Sequence, residues 1–477
     1  MTGGVTVPIA SDAIMTSISR LKAALQRQGI HVERTNNIYR LRTANSEATV
    51  LLPDSLPLEE KAVKQLLGFA ATRSADGHHG VCKACATPDF HPGGIAPVGA
   101  VVATDPEFVI PAAIGTDINC GLRLVSTGLQ YETIAPHKDA LESRLTHVLL
   151  DNGRNLPVFS RGFAALFDAG PDAFIDLLPR EGLWAGVNRT RLLNELAACV
   201  SLDSFDSAAR YAPEALVGTR ELIRDPSLGT QGAGNHFVEL QVVDQVLDRH
   251  AAYAAGLAKD DVVFMIHTGS RDVGFYVGKR WMDKARAAWP RQMKYPEHGL
   301  FGLSGALADE YLIAMGTAAR YAWANRMALT EMVRSAIEAT LGQSNSRLVV
   351  DVPHNVVLRE QNLNIHRKGA TPAREGELAL IPGSMGDFSY VAAGLGHPDW
   401  LWSCSHGAGR SMRRQAMRRL ATEVAPGSWQ CATLREERRI EEAPHAYKPV
   451  GPVIAAQEEA GLIKAAVRLR PWLTFKA

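Results

Sequence analysis

The sequence predicts an α+β fold in which mixed β-sheets are flanked by helices and a metal site sits at strand ends. Three observations predict it. Short apolar, β-branched runs end repeatedly on Gly-rich or polar turns, as strands do. Helical segments fall between these runs at irregular intervals, which suits mixed sheets. The residues able to do chemistry cluster where a strand runs into its turn, and strand-terminal side chains can converge on one sheet edge.

Residues 11–29 predict the first helix, with Ser11 as cap, Ile14, Ile18, Leu21 and Leu25 at helical spacing, and Gly29 as stop. Short strands are expected near 37–42 and 48–52, and Pro57 opens a helix over 57–70. Residues 1–80 are therefore expected to form a small N-terminal α/β lobe, and 81–477 the catalytic domain. Between 86 and 130, runs such as APVGAVVAT and VIPAAIGTDINCGLRLVST alternate with tight turns. Residues 136–215 look helical, GVNRTRLLNELAACV most clearly, and are expected to be an insertion over the core. Strands are then expected at 236–243, 260–270, 347–355 and 377–384, and a long helix at 304–341 whose Met and aromatic stripe is core.

A net charge of +1 means that any nucleic acid must be held by a local patch. Six scattered cysteines do not form a disulfide framework and suit a reducing cytosol. Cys82 and Cys85 have zinc-knuckle spacing without a second half-site, so a loop with two free thiols is expected. No basic-then-apolar leader opens the chain, and no apolar run approaches the ~20 residues that span a bilayer. A soluble, cytoplasmic protein without a membrane partner is expected. The absence of GxxxxGK[ST] excludes P-loop nucleotide binding.

In GTDINCG (115–121), Asp117 and Cys120 bracket a turn, and their carboxylate and thiolate can reach one metal ion. Taken alone, a turn-forming Asp and a core Cys explain this stretch as well. His236 opens a strand after a Gly-rich turn, His267 and His354 close strands, and His406 follows WSCS. One such histidine would read as structural. Four in similar context, with a thiolate and a carboxylate, form a borderline ligand set suited to Mn, Zn, Fe or Co. Room for two ions would fit two-metal chemistry on phosphate. IPGSMGDFSY (381–390) is a Gly/Ser turn suited to a nucleotide, and HRKGATPA (366–373) puts Arg367 and Lys368 before a Gly turn. GRSMRRQAMRRL (409–420) places Arg410, Arg413, Arg414 and Arg418 near one helical face, suited to phosphate or to solvent.

The ordered series PDFHPG, GTDINCG, GAGNHF, HTGSR, PHN, HRKGAT, PGSMG, SHGAGR and EAPHAYK resembles the RtcB family of tRNA-splicing RNA ligases, over about residues 88–450. The resemblance implies an enzyme that joins RNA 2′,3′-cyclic phosphate or 3′-phosphate ends to 5′-hydroxyl ends, using GTP and two Mn(II) ions. It implies His406 as the nucleophile that becomes linked to GMP. It implies Asp117, Cys120, His236, His267 and His354 as metal ligands, with Cys120 bridging. Asn235 would contact the nucleotide phosphate, and Glu239, Ser384, Ser389, Ala408, Gly409 and Lys448 would embrace the guanosine. Asp89 would assist near the metals, Arg410 would act on the reacting phosphates, and Arg414 would face RNA. Gly407, Ala408 and Gly409 would leave room at His406 for a phosphoryl group. An archease-type activator is a partner the resemblance allows, and a monomer is the expected state. The chain departs from the family's first motif at Ile95, where glycine is common.

Three other readings share parts of this constellation. A guanylyltransferase could cap 3′-phosphate ends of RNA or DNA without sealing them. A dinuclear phosphoesterase would need the metals but no covalent histidine. An RNA-binding protein with a vestigial site would not need the complete ligand set.

Overall fold

The computed structural model describes residues 10–342, 345–419 and 430–477. Strands β1 (His31–Thr35), β2 (Ile38–Arg42), β3 (Glu47–Leu51), β4 (Val81–His91) and β5 (Val98–Thr104) lie side by side. The chain then crosses to a second sheet through β6 (Gly121–Gln130), β7 (Phe237–Val246), β8 (Asp261–Thr268) and β9 (Arg347–Pro353). It returns to the first sheet with β10 (Asn355–Glu360) and β11 (Leu363–Lys368). It ends in the second with β12 (Leu378–Ile381), β13 (Ser389–Gly394) and β14 (Ile463–Lys476). The first sheet runs β1-β2-β3-β4-β5-β11-β10, and the second β9-β6-β8-β7-β14-β13-β12, with Cys431–Thr433 beside β14. Both sheets mix mostly antiparallel pairs with one parallel pair, so the expected α+β architecture holds.

Several expected elements sit where the sequence places them. Helix α1 (Ala10–Gln26) ends before Gly29, which has φ +75°. Helix α2 (Glu60–Ala70) begins three residues after Pro57, because buried Leu58 first packs into the core. Residues 136–215 are chiefly short helices, among them α3 (Lys138–Leu149) and α4 (Ser160–Asp168). In GVNRTRLLNELAACV, only Arg189–Glu195 is α-helical, capped by the Asn188 side chain. Helix α5 (Arg271–Ala287) follows β8.

Helix α6 (Ala306–Leu341) is 36 residues long and apolar on most sides, as a helix buried from all directions must be. Its expected Met and aromatic stripe is core, with Tyr311, Met315, Tyr321, Met327 and Met332 at most 2% exposed. The insertion covers one side of it: Phe163 stacks 6.1 Å from Tyr321, and Phe174 meets Trp323 edge-on at 6.4 Å. Among the described residues no helix is long and apolar enough to cross a membrane.

Two expectations need correction, and two elements were not read from the sequence. Cys82 and Cys85 lie in β4 and not in a loop; residues three apart in a strand face opposite ways, so one thiol is exposed and the other buried. Arg367 is not a phosphate contact. It lies in β11 with its side chain fully buried, donating to Glu360 at 2.7 and 3.1 Å and to Ser403 at 2.8 Å. The β10–β11 hairpin was hidden because its two-residue turn, Gln361-Asn362, carries no glycine; both residues nevertheless take positive φ, as a tight hairpin requires. Strand β14 is also not evident in the sequence, since Pro471 normally argues against a strand. A register shift between Leu240 and Gln241 lets the partner strand accommodate it.

Glu360 holds two arginines, Arg367 and Arg374. Burial alone would raise its carboxyl pKa, but the two guanidinium groups outweigh burial and hold it below the usual range. Glu360→Gln is expected to destabilise the fold by about 3 kcal/mol, the cost of stranding a buried charge, read as a lower urea midpoint at pH 7. Because the folded pKa is depressed, the wild-type contribution is complete above the ordinary carboxylate range and fades as pH falls through the folded value. The difference between wild type and variant should therefore shrink at acid pH.

Candidate metal centre and nucleotide cavity

Sheet register explains why distant residues meet. His267 in β8 pairs with Leu122 in β6 on one side and with Phe237 in β7 on the other. Gly121 at the start of β6 pairs with Pro353 at the end of β9. The residues next to these pairs are Cys120, His236 and His354. Antiparallel neighbours bring starts and ends to one sheet edge, so all four side chains reach the same corner.

Their ligand atoms lie close together. Cys120 Sγ is 3.3 Å from His236 Nε2 and 3.4 Å from His267 Nε2. His267 Nε2 is 3.1 Å from His354 Nε2, and Asp117 Oδ2 is 3.1 Å from His236 Nε2. Two sets that can each hold a cation result, Cys120–His267–His354 and Asp117–Cys120–His236, sharing the cysteine. Burial lowers the pKa of His267 and His354 well below the ordinary value, and neighbouring histidines add to the effect. Both are therefore neutral and free to offer lone pairs. Burial, with Asp117 nearby, raises the Cys120 thiol. His236 is aimed by the Gln231 carbonyl, 2.9 Å from its Nδ1. Gly269 cannot be another residue without strain, since a Cβ there would stand 2.3 Å from the Asp117 carboxylate.

Helix α6 fixes the loops that carry these ligands. Arg326 is 1% exposed, pairs with Asp351 at 2.7 Å, and donates to the carbonyls of Asn119 (2.8 Å) and Thr268 (3.1 Å). Asn325 beside it accepts from the Thr230 amide and donates to the carbonyls of Thr230 and Gly269. The backbone next to Cys120 and His267, and the turn leading to His236, are thus tied to one helix.

His406 follows the short strand Ser403–Ser405 and is 8% exposed. Its ring packs 4.6 Å from His354. Its Nδ1 lies 2.7 Å from Asp89 Oδ2, and Thr87 donates to the other Asp89 oxygen at 2.6 Å. Burial would raise the Asp89 pKa, but the hydrogen bonds and charge of His406, with Thr87, hold it below the usual range. A carboxylate can only accept, so Nδ1 is the ring nitrogen that donates to Asp89, and Nε2 is turned away from it.

A cavity of about 430 Å³ opens beside His267 and His406. Asn235, Glu239, Ser384, Ala408, Gly409, Arg410 and Arg414 line it, as do Gly93 and Gly94 of the first motif. Glu239 is 5% exposed; Gln241 donates to it at 2.6 Å and Thr474 donates to its other oxygen. Ser389 is not on the wall. Its hydroxyl stands behind Glu239 and accepts from Gln241 at 2.9 Å. Lys448 is not on the wall either: its ammonium donates to the carbonyls of Phe90 (2.6 Å) and Pro88 (3.3 Å). Ile95 projects to solvent outside the cavity, and the Gln65 amide holds its carbonyl at 3.0 Å.

The arginines do not share one helical face. The helix covers Arg414–Arg419, and position 420 lies outside the described residues. Lys448 donates through its backbone to Gly409, and Ser411 to Ala446, which pairs Arg410 with Tyr447 in a single antiparallel bridge. Arg410 is consumed by the protein: Glu442 at 2.8 Å, the Glu441 and Met412 carbonyls, and the Tyr447 hydroxyl. Arg414 pairs with Glu442 at 2.9 Å yet stays 45% exposed, and Arg418 pairs with Glu441. Sequence reasoning missed Phe237, Thr474, Lys476 and Tyr447 on the wall. Lys476 is 4% exposed and donates to Gly234 and His236 carbonyls. No motif marks it; only the pairing of β14 with β7 brings it to Glu239.

These features define an α+β protein with a Cys/His/Asp cluster able to hold a cation beside a carboxylate-oriented histidine. The sequence model of the family described as "tRNA-splicing ligase RtcB" matches residues 71–477. A protein named tRNA-splicing ligase RtcB from Thermococcus kodakarensis is 33% identical over 429 residues, 80% of this chain and 85% of that protein. Proteins of the same name from Aeropyrum pernix and Pyrobaculum aerophilum are each 32% identical over 426 residues, covering 80% of this chain. The chain belongs to the RtcB family.

Because its sulfur belongs to both sets, Cys120→Ala is expected to weaken divalent-ion binding at both. His236→Ala should weaken one and leave the other. Metal content after equilibration with Mn(II) and gel filtration, measured by mass spectrometry, checks this ordering.

Proposed function

We propose that this protein is an RNA ligase that uses GTP and Mn(II) to join 3′-phosphate or 2′,3′-cyclic phosphate ends to 5′-hydroxyl ends, in tRNA splicing or RNA repair. Family membership supports the reaction class. The observation that carries the reading is the Asp89–His406 pair at the floor of the cavity.

With Nδ1 donating to Asp89, His406 presents Nε2 as a nucleophile toward the α-phosphorus of GTP. The N–P bond forms as the bond to pyrophosphate breaks, and Asp89 stabilises the charge that develops on the imidazole. The RNA 3′-phosphate then displaces the histidine and takes the GMP. Attack by the 5′-hydroxyl forms the phosphodiester and releases GMP; a cyclic end must first be opened by water. Asp117, Cys120, His236, His267 and His354 fit Mn(II), being mixed nitrogen, oxygen and sulfur donors. Ions bound there would supply positive charge against the phosphate oxygens.

Glu239 suits guanine, because its buried carboxylate can accept from the N1 and N2 protons, which adenine lacks. The Lys476 ammonium on the same wall suits the O6 acceptor. Asn235 on the wall suits a nucleotide phosphate, Ser384, Ala408 and Gly409 line it for the guanosine, and Arg414, like Arg413 beside it, keeps exposed surface for RNA. Arg410 reads best as a brace for this wall. An archease-type activator and a monomeric state complete the proposal.

Incubation with α-32P-GTP and Mn(II), followed by a denaturing gel, tests the first step. An acid-labile, alkali-stable label is expected on wild type and none on His406→Ala. Asp89→Asn should lower the labelling rate by roughly 100-fold or more, since an amide no longer enforces the tautomer or stabilises the imidazolium. No label on manganese-loaded wild type would overturn the ligase reading in favour of a metal phosphoesterase. Sealing of a 3′-phosphate/5′-hydroxyl RNA pair then separates ligase from capping enzyme.

A further inference from the structure

The motif EAPHAYK ends in a lysine that the cavity does not use. Lys448 is 2% exposed, and its ammonium reaches the carbonyls of Pro88 and Phe90, one on either side of Asp89. This is where β4 loses its ladder: the register with β5 shifts between Ala86 and His91. The carbonyls around Asp89 lack regular sheet partners, and a buried backbone carbonyl needs one. Lys448 supplies the donor from across the fold.

Its own backbone is fixed to the same place. The Lys448 amide donates to Gly409 at 2.9 Å, three residues after His406. Gly409 packs so closely on Asp89 that a Cβ would stand 2.4 Å from the Asp89 carbonyl, and its φ is +77°. Lys448 therefore bridges the strand that carries the carboxylate and the turn that carries the imidazole. A flexible ammonium with three donors can satisfy two carbonyls at once, which an apolar side chain of equal length cannot. Burial lowers the lysine pKa to about 8, and the nearby Asp89 and Glu59 carboxylates oppose that fall.

We propose that Lys448 is a positioning residue that sets Asp89 against His406, and not a contact to the nucleotide. This rests on the guanylylation chemistry proposed above. A nucleotide contact and a positioning residue differ in what they change. Loss of a contact weakens GTP binding. Loss of positioning slows attack at saturating GTP, and a displacement near 1 Å costs on the order of 100-fold.

The test measures two quantities on the full chain. GTP affinity is read by calorimetry on a His406→Ala background, where no transfer occurs, with and without Lys448→Met. The single-turnover labelling rate at saturating α-32P-GTP is read with His406 intact. Lys448→Met should leave the GTP Kd within about twofold and lower the labelling rate roughly 100-fold. On an Asp89→Asn background the same substitution should cost less than about threefold more, because both act through one histidine. A purely structural role would lower the rate by the same factor on both backgrounds. If Lys448→Met does not fold, Lys448→Arg is measured in the same way and should show a smaller rate loss at unchanged Kd. A raised Kd with an unchanged saturated rate, an unchanged rate and Kd, or additive losses would each overturn the proposal. Label on wild type with full label on Lys448→Met overturns this role alone; no label on wild type overturns the ligase reading with it.

Discussion

The pairing of Arg326 with Asp351 in the middle of the molecule is the interaction on which the site depends. A guanidinium buried to 1% exposure cannot go unpaired, and Asp351 answers it from β9. Arg123 on β6 completes the pairing from the other side at 2.6 Å. What remains of the Arg326 fork is spent on the carbonyls of Asn119 and Thr268, each next to a metal-ligand candidate. One fixed, planar group on a long helix thereby sets the spacing between two loops that are distant in sequence. Burial gives this arrangement its rigidity, because every alternative strands a charge.

The same logic runs outward to the cavity. Polar groups on its wall are held by protein partners: Glu239 by Gln241 and Thr474, and Arg410 by Glu442 and Tyr447. Ser389 braces Gln241 in turn. Side chains that are already held lose little freedom when a ligand arrives, which is how a site keeps its geometry through several bond exchanges. Asp89 fits this pattern, since Thr87 and the surrounding backbone hold the carboxylate that aims His406.

Local chemistry made much of this legible in advance. Turn glycines, β-branched runs and histidines at strand ends marked Asp117, Cys120, His236, His267, His354 and His406 as candidates, the family resemblance set His406 apart as the nucleophile, and register gathers the rest at one sheet edge. The arginine run was misread because helical periodicity was assumed through a segment that pairs with 446–448. Glu441 and Glu442, some 30 residues on, claim charges that seemed free.

The sequence by itself determined the α+β composition, the central apolar helix and the candidate reactive side chains, because each depends on residue type, short spacing and motif order. Only the tertiary structure decided which partner each one keeps. Lys476 reaches the cavity because β14 pairs with β7, and Lys448 leaves it because two carbonyls in β4 lack partners. Both lysines are long, flexible cations with nothing in their neighbours to distinguish them. Their roles follow from desolvation, which sends a buried charge to whichever acceptors the fold has left unsatisfied.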